Sequence, residues 1–117
     1  MKTNPELLSI SFDGGGLLAG AASARREGAE ICRSLGRKAR PMAGDRAAMV
    51  LVFGGAPEVS TGQAVARAVA RQLRCADPNV FARNPATRAF WDGTLPLGKA
   101  RLEVFLFTTK QKTTTGD

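Results

Sequence analysis

Histidine and tyrosine are both absent from this chain. Without histidine, no side chain titrates near neutrality at its ordinary pKa. Ser-His-Asp and Cys-His mechanisms are therefore excluded, while Ser-Asp and Ser-Lys arrangements remain open. Cysteine is scarce as well: Cys32 and Cys75 stand far apart with no CxxC pairing. A zinc site or a disulfide framework needs more ligands than these two. They read as two small thiols, core or surface, on two predicted helices, and no metal or cofactor is expected. No apolar run approaches the roughly 20 residues that span a bilayer. Leu7–Phe12 is too short for a signal-peptide core and is interrupted by Ser9 and Ser11. The expectation is a cytoplasmic protein with no membrane span.

What is present is an ordinary globular composition with a basic excess. The 117 residues are 44% hydrophobic and carry 17 Lys/Arg against 10 Asp/Glu, a formal charge of +7. The length suits one domain, residues 1–117, with a modest core. A positive field favours anionic partners, either nucleic acid or an acidic protein.

Leu8, Ile10 and Phe12 alternate with Ser9, Ser11 and Asp13, which predicts a first strand. Gly14–Gly16 follow as a turn that lets a helix settle close to that strand. Ala21, Ala24, Gly28, Ile31 and Leu35 recur at helical spacing over Leu17–Leu35, with Arg26, Glu30, Arg33 and Arg37 opposite. That stripe is rich in small residues, so the helix should pack closely, with Gly36 as its C-cap. Arg37–Met42 reads as a short edge strand around Pro41, and Ala47–Phe53 as a central strand. Ser60 or Thr61 can cap a second helix running to Ala76, with Val65, Val69 and Leu73 inward and Arg67, Arg71 and Arg74 outward. Asp77–Gly98 contains Pro78, Pro85 and Pro96 and reads as a long irregular excursion anchored by Phe81, Phe90 and Trp91. Lys99–Thr109 is a last strand, and residues 110–117 a frayed tail.

This order predicts an α+β fold, a ferredoxin-like βαββαβ two-layer sandwich with a long irregular insertion before the last strand. If Arg37–Met42 is not a strand, the alternative is a three-stranded α/β sheet. A sandwich of this kind leaves one sheet face without helices. Leu102, Val104 and Leu106 suit the core, which puts Phe105, Phe107, Val50 and Val52 on the open face beside Ser9 and Ser11. The excursion could cover that face through Phe81, Phe90 and Trp91, or a second copy of the chain could pair with it. Stacking on nucleic-acid bases would be a third use, but the basic-aromatic strand motif of RNA-recognition sheets is missing from Met49–Phe53.

Asp13-Gly-Gly-Gly16 between strand and helix resembles the oxyanion loop of the patatin-like phospholipases. Glu58-Val-Ser60-Thr-Gly62 and Asp92-Gly93 add to that resemblance, which implies a Ser60–Asp92 dyad acting without histidine. Glu58 stands where the nucleophile elbow has its first glycine. The glycine loop lacks a following lysine and is no phosphate-binding P-loop, and Asp13 beside it repels anions.

The residues point first to a small basic, non-enzymatic interaction or assembly module that self-associates. Its interface candidates are Val50, Val52, Phe105, Phe107 and Trp91. The second reading is a nucleic-acid-associated protein that contacts phosphates through Arg26, Arg33, Arg37, Arg67, Arg71 and Arg74. A patatin-like hydrolase is the third.

Overall fold

Alternating burial builds the sheet. The computed structural model describes residues 3–82 and 85–107. Its four strands are β1 (Glu6–Ser11), β2 (Ala47–Gly55), β3 (Ala86–Asp92) and β4 (Lys99–Leu106). They pair in the order β1-β4-β2-β3, with β4 antiparallel to both β1 and β2, and β3 parallel to β2. Leu102, Val104 and Leu106 point to the helices, as the aliphatic pattern of β4 predicts. Leu8 lies opposite Leu102 on one side, and Val52 and Val50 lie opposite Leu102 and Val104 on the other. Directly opposed residues share a face. The inner face is therefore a continuous aliphatic layer across three strands.

The fold is α+β with an open mixed sheet, but two elements differ from expectation. Arg37–Met42 forms no strand. Arg37, Lys38 and Ala39 continue a helix, and Arg40–Met42 closes it as a 3-10 turn that buries Met42. Pro41 is tolerated there because the first turn has no use for its missing N–H. The fourth strand comes instead from the expected excursion. Ala86–Asp92 pairs with β2 from Met49 to Gly55 as an edge strand. The ferredoxin-like order is consequently not what forms: β4 and β2 are central and β1 is an edge. The tail expected over 110–117 lies outside the described residues.

The described residues form four helices, α1 (Gly14–Leu18), α2 (Ala21–Ala39), α3 (Val59–Ala70) and the single turn α4 (Leu73–Ala76), of which α2 and α3 pack on the inner face of the sheet. α1 and α2, expected as one helix, are separated at Gly20, whose φ of +133° suits only glycine well. Gly14–Gly16 are helical, not a left-handed turn, and Asp13 Oδ1 caps them by accepting the Gly16 N–H at 2.9 Å. Glu58, not Ser60 or Thr61, occupies the N-cap position of α3. Ile31, Leu35, Val65, Val69 and Leu73 meet the aliphatic sheet layer in one core that also takes in Val80 and Phe81. Among the described residues, no helix is long and apolar enough to cross a membrane.

Close approach replaces bulk at two seams. Gly36 does not end α2; it lies inside it, where a Cβ would stand 3.1 Å from the Ala76 carbonyl oxygen of α4. The close packing expected of the small-residue stripe is seen at Gly28, against Gln72. At the second seam, a Cβ on Gly54 would lie 2.3 Å from the Gly62 oxygen and 2.7 Å from the Ala66 nitrogen of α3. Those atoms are helix backbone and cannot step aside. Gly54→Ala is expected to destabilise by about 3 kcal/mol, the upper end for an overpacked core. Gly15→Ala, whose Cβ would meet nothing nearer than 3.6 Å, should stay within about 1 kcal/mol of the parent. Urea unfolding of both variants tests the pair.

Candidate functional site

Charge is divided between the two layers. The helical stretches 21–42 and 59–76 hold nine Lys/Arg and only two acidic residues, Glu27 and Glu30. The remaining sequence holds eight of each sign, so the whole +7 belongs to the helical layer. The four strands are balanced, with Arg88, Lys99 and Arg101 against Glu6, Asp92 and Glu103.

At about 100° per residue, Arg25, Arg26, Arg33 and Arg37 fall within roughly a third of the circumference of α2, and Arg40 follows in the 3-10 turn that closes it. This basic face borders a groove between α2 and α3. Its floor is made of the small residues Ala24, Gly28, Ala64 and Ala68, with Arg25 and Arg71 at its sides. Further along, Arg33, Arg37 and Arg40 surround a second hollow over Gly36 and Ala76. Of the arginines expected from sequence, Arg33, Arg37 and Arg71 thus border the seam. Arg74 turns with Arg71 toward a hollow over Leu73, Phe81 and Thr87. Arg26 and Arg67 are exposed on their helices. Arg25 and Arg40 were missed, although helical periodicity puts them in the same arc as Arg33.

Cys32 and Cys75 are not separate thiols. They form a disulfide between α2 and α4 with Cα atoms 5.7 Å apart, in the floor of the second hollow. Helical pattern alone could not reveal a pairing across 43 residues of sequence.

Among the described residues, no helix lies on the other face of the sheet. Val50 and Val52, expected there, are fully buried on the inner face, because β2 registers them against Val104 and Leu102. Met49, Leu51 and Phe53 occupy the open face in their stead, with Phe105 of β4 and, just past its end, Phe107. Phe90 joins them as a strand residue, its ring stacked on Phe53 at 5.1 Å between centroids. The Arg101 guanidinium lies 4.3 Å from the Phe53 centroid on the same row. Leu7, Phe90 and Phe107 remain 66%, 39% and 40% exposed. Phe81 is buried under the helices, so among the described residues the excursion does not cover this face through it. Trp91 turns the other way: its Nε1–H donates to the Ala56 carbonyl at 2.8 Å and its ring fills the space above Gly62.

The hydrolase residues do not converge. Asp92 accepts from the Thr94 hydroxyl at 2.6 Å, the Thr94 N–H at 2.9 Å and Arg101 at 2.9 Å. It points to the open face with Arg101, whereas Ser60 is exposed at the start of α3 on the other side. Among the described residues, no group of three potential ligands could hold a metal ion. No family model, curated protein or solved structure matches the chain.

The Thr94 hydrogen bonds, and then Arg101, hold the Asp92 carboxyl below its ordinary pKa. A depressed folded-state value contributes stability above the ordinary carboxylate pKa of about 3.9. That contribution is lost as pH falls through the lowered value. Asp92→Asn should be less stable than the parent at pH 7, and the two should converge as the solution is acidified below about pH 4. Denaturation midpoints across an acid series check both halves.

Proposed function

We propose that this protein binds nucleic acid through phosphate contacts made by its helical layer, without reading base sequence. The observation that carries this reading is the segregation of charge. All of the net +7 lies in the two helical stretches, on one side of a charge-balanced sheet. A layer of that kind neutralises a phosphate backbone and releases its counterions, which is the sequence-independent part of nucleic-acid affinity. The groove between α2 and α3 supports it: small residues keep the floor low, and Arg25 and Arg71 stand at the sides. Arginine suits this role because its planar fork donates in pairs to phosphate oxygens.

Fluorescence anisotropy with labelled duplexes of unrelated sequence tests the reading. Affinity should be similar among them and fall about a thousandfold between about 50 mM and 200 mM salt, as for about six phosphate contacts. Arg25→Ala combined with Arg71→Ala should reduce the salt slope by about two while preserving the fold. Binding that is indifferent to salt, or no binding at low salt, would overturn it.

A second reading, self-association, is favoured by the open sheet face. Leu7, Phe90 and Phe107 are exposed on the same face, which no helix covers among the described residues. The occupant that fits is a second copy, because pairing the balanced sheets keeps two basic helical layers apart and facing outward. The interface candidates are then Phe105 and Phe107, joined by Phe53 and Phe90. Sedimentation equilibrium at tens of micromolar should give a dimer, and Phe90→Asp should give a monomer. A strictly monomeric parent removes this reading and leaves the first untouched.

A further inference from the structure

Cys32 and Cys75 are the only cysteines in the chain, and the fold joins them on its surface. Cys75 is exposed and Cys32 is half-buried; neither belongs to the hydrophobic core. The helices they link also meet through Gly28 and Gln72 and through Gly36 and Ala76. The bond is therefore not what assembles the core. Its surroundings are chemically uneven: Arg33, Arg37 and Arg40 line the same hollow, and among the described residues no carboxylate does. Glu30, one turn away, is occupied by Arg33. Arg37 is held by the uncharged Ser34 hydroxyl at 3.2 Å, so its charge is not cancelled.

We propose that Cys32–Cys75 is a reversible thiol–disulfide exchange site selective for anionic thiols. Two effects of the arginines act together. Their field concentrates an anionic attacking thiolate at an accessible sulfur. It also stabilises the thiolate that departs, which speeds exchange and favours the reduced form. In the first step an external thiolate attacks the Sγ of Cys75, the more exposed of the two residues. A mixed disulfide forms, the Cys75–Cys32 bond breaks, and its electron pair leaves on Cys32 Sγ. A second external thiolate then attacks the external sulfur of that mixed disulfide and expels Cys75 as thiolate. Two electrons pass from two thiols to the protein, the two thiols leave as a disulfide, and two protons are taken up as the cysteines protonate. Opening removes the covalent tie between α4 and α2 at the rim of the hollow, leaving only their packing contacts. If the helical layer binds nucleic acid as proposed above, this exchange adjusts that surface.

The test compares three small thiols under native conditions: anionic glutathione, neutral 2-mercaptoethanol and cationic cysteamine. Thiol release is followed by maleimide labelling, and rates are normalised to the thiolate present. Glutathione should exceed cysteamine about tenfold at low salt, with 2-mercaptoethanol between them, and the order should collapse at high salt. Arg37→Ala with Arg40→Ala should flatten it in the same way. Amide exchange should accelerate across 72–77 on reduction while β2 and β4 stay protected. A bond that opens only in denaturant, or rates with no charge order, would overturn the proposal. Neither outcome depends on nucleic-acid binding, so a failure of that reading is separately visible. Cys32→Ser with Cys75→Ser reports whether the open form keeps its fold.

Discussion

The insertion of β4 between β1 and β2 is the constraint on which this structure depends. β4 pairs antiparallel with both neighbours, so its side chains set the face of each. Leu102, Val104 and Leu106 gather Leu8, Val52 and Val50 onto the inner side, where α2 and α3 add Ile31, Leu35, Val65 and Val69. The same register sends Arg101, Glu103 and Phe105 outward, beside Ser9, Leu51, Phe53 and Met49. Both surfaces of the sheet follow from one pairing. A slip of a single residue would exchange them, and the buried aliphatic layer resists that slip.

A layered fold with this inner face separates two kinds of surface. The helices bury aliphatic stripes and are left with their charged sides in water, where arginine accumulates without cost to packing. The outer sheet face solves its own charge locally: Arg101 is shared by Asp92 at 2.9 Å and Glu103 at 4.0 Å while resting on Phe53. One side of the protein is basic and the other is mixed and aromatic. These are separate surfaces, and both can be occupied at once.

The seams between elements depend on small side chains. Gly54 and Gly62 let α3 approach β2 to backbone contact, and Trp91 fills the remaining space over Gly62. Gly36 does the same for α2 and α4, which brings Cys32 and Cys75 within bonding reach. The disulfide is thus a consequence of close helix packing, placed where arginines already stand for a different physical reason.

Whatever depends on near neighbours along the chain was legible in the residues alone. Alternation marked Leu8 and Ile10 and the inward set Leu102, Val104 and Leu106. Helical spacing marked Ala24, Gly28, Ile31 and Leu35, and likewise Val65 and Val69. The basic helix faces were legible from the same periodicity. Tertiary structure alone decided what depends on partners distant in sequence. Val50 and Val52 alternate identically whichever face they take, and only their register against β4 turns them inward. Ala86–Asp92 is too polar and too close to Pro85 to announce a strand, and becomes one because β2 offers an unpaired edge. Gly36 reads as a helix stop until Ala76 arrives beside it. Periodicity is a local property, whereas register, edge pairing and the meeting of two cysteines are long-range ones, settled only when the chain has folded.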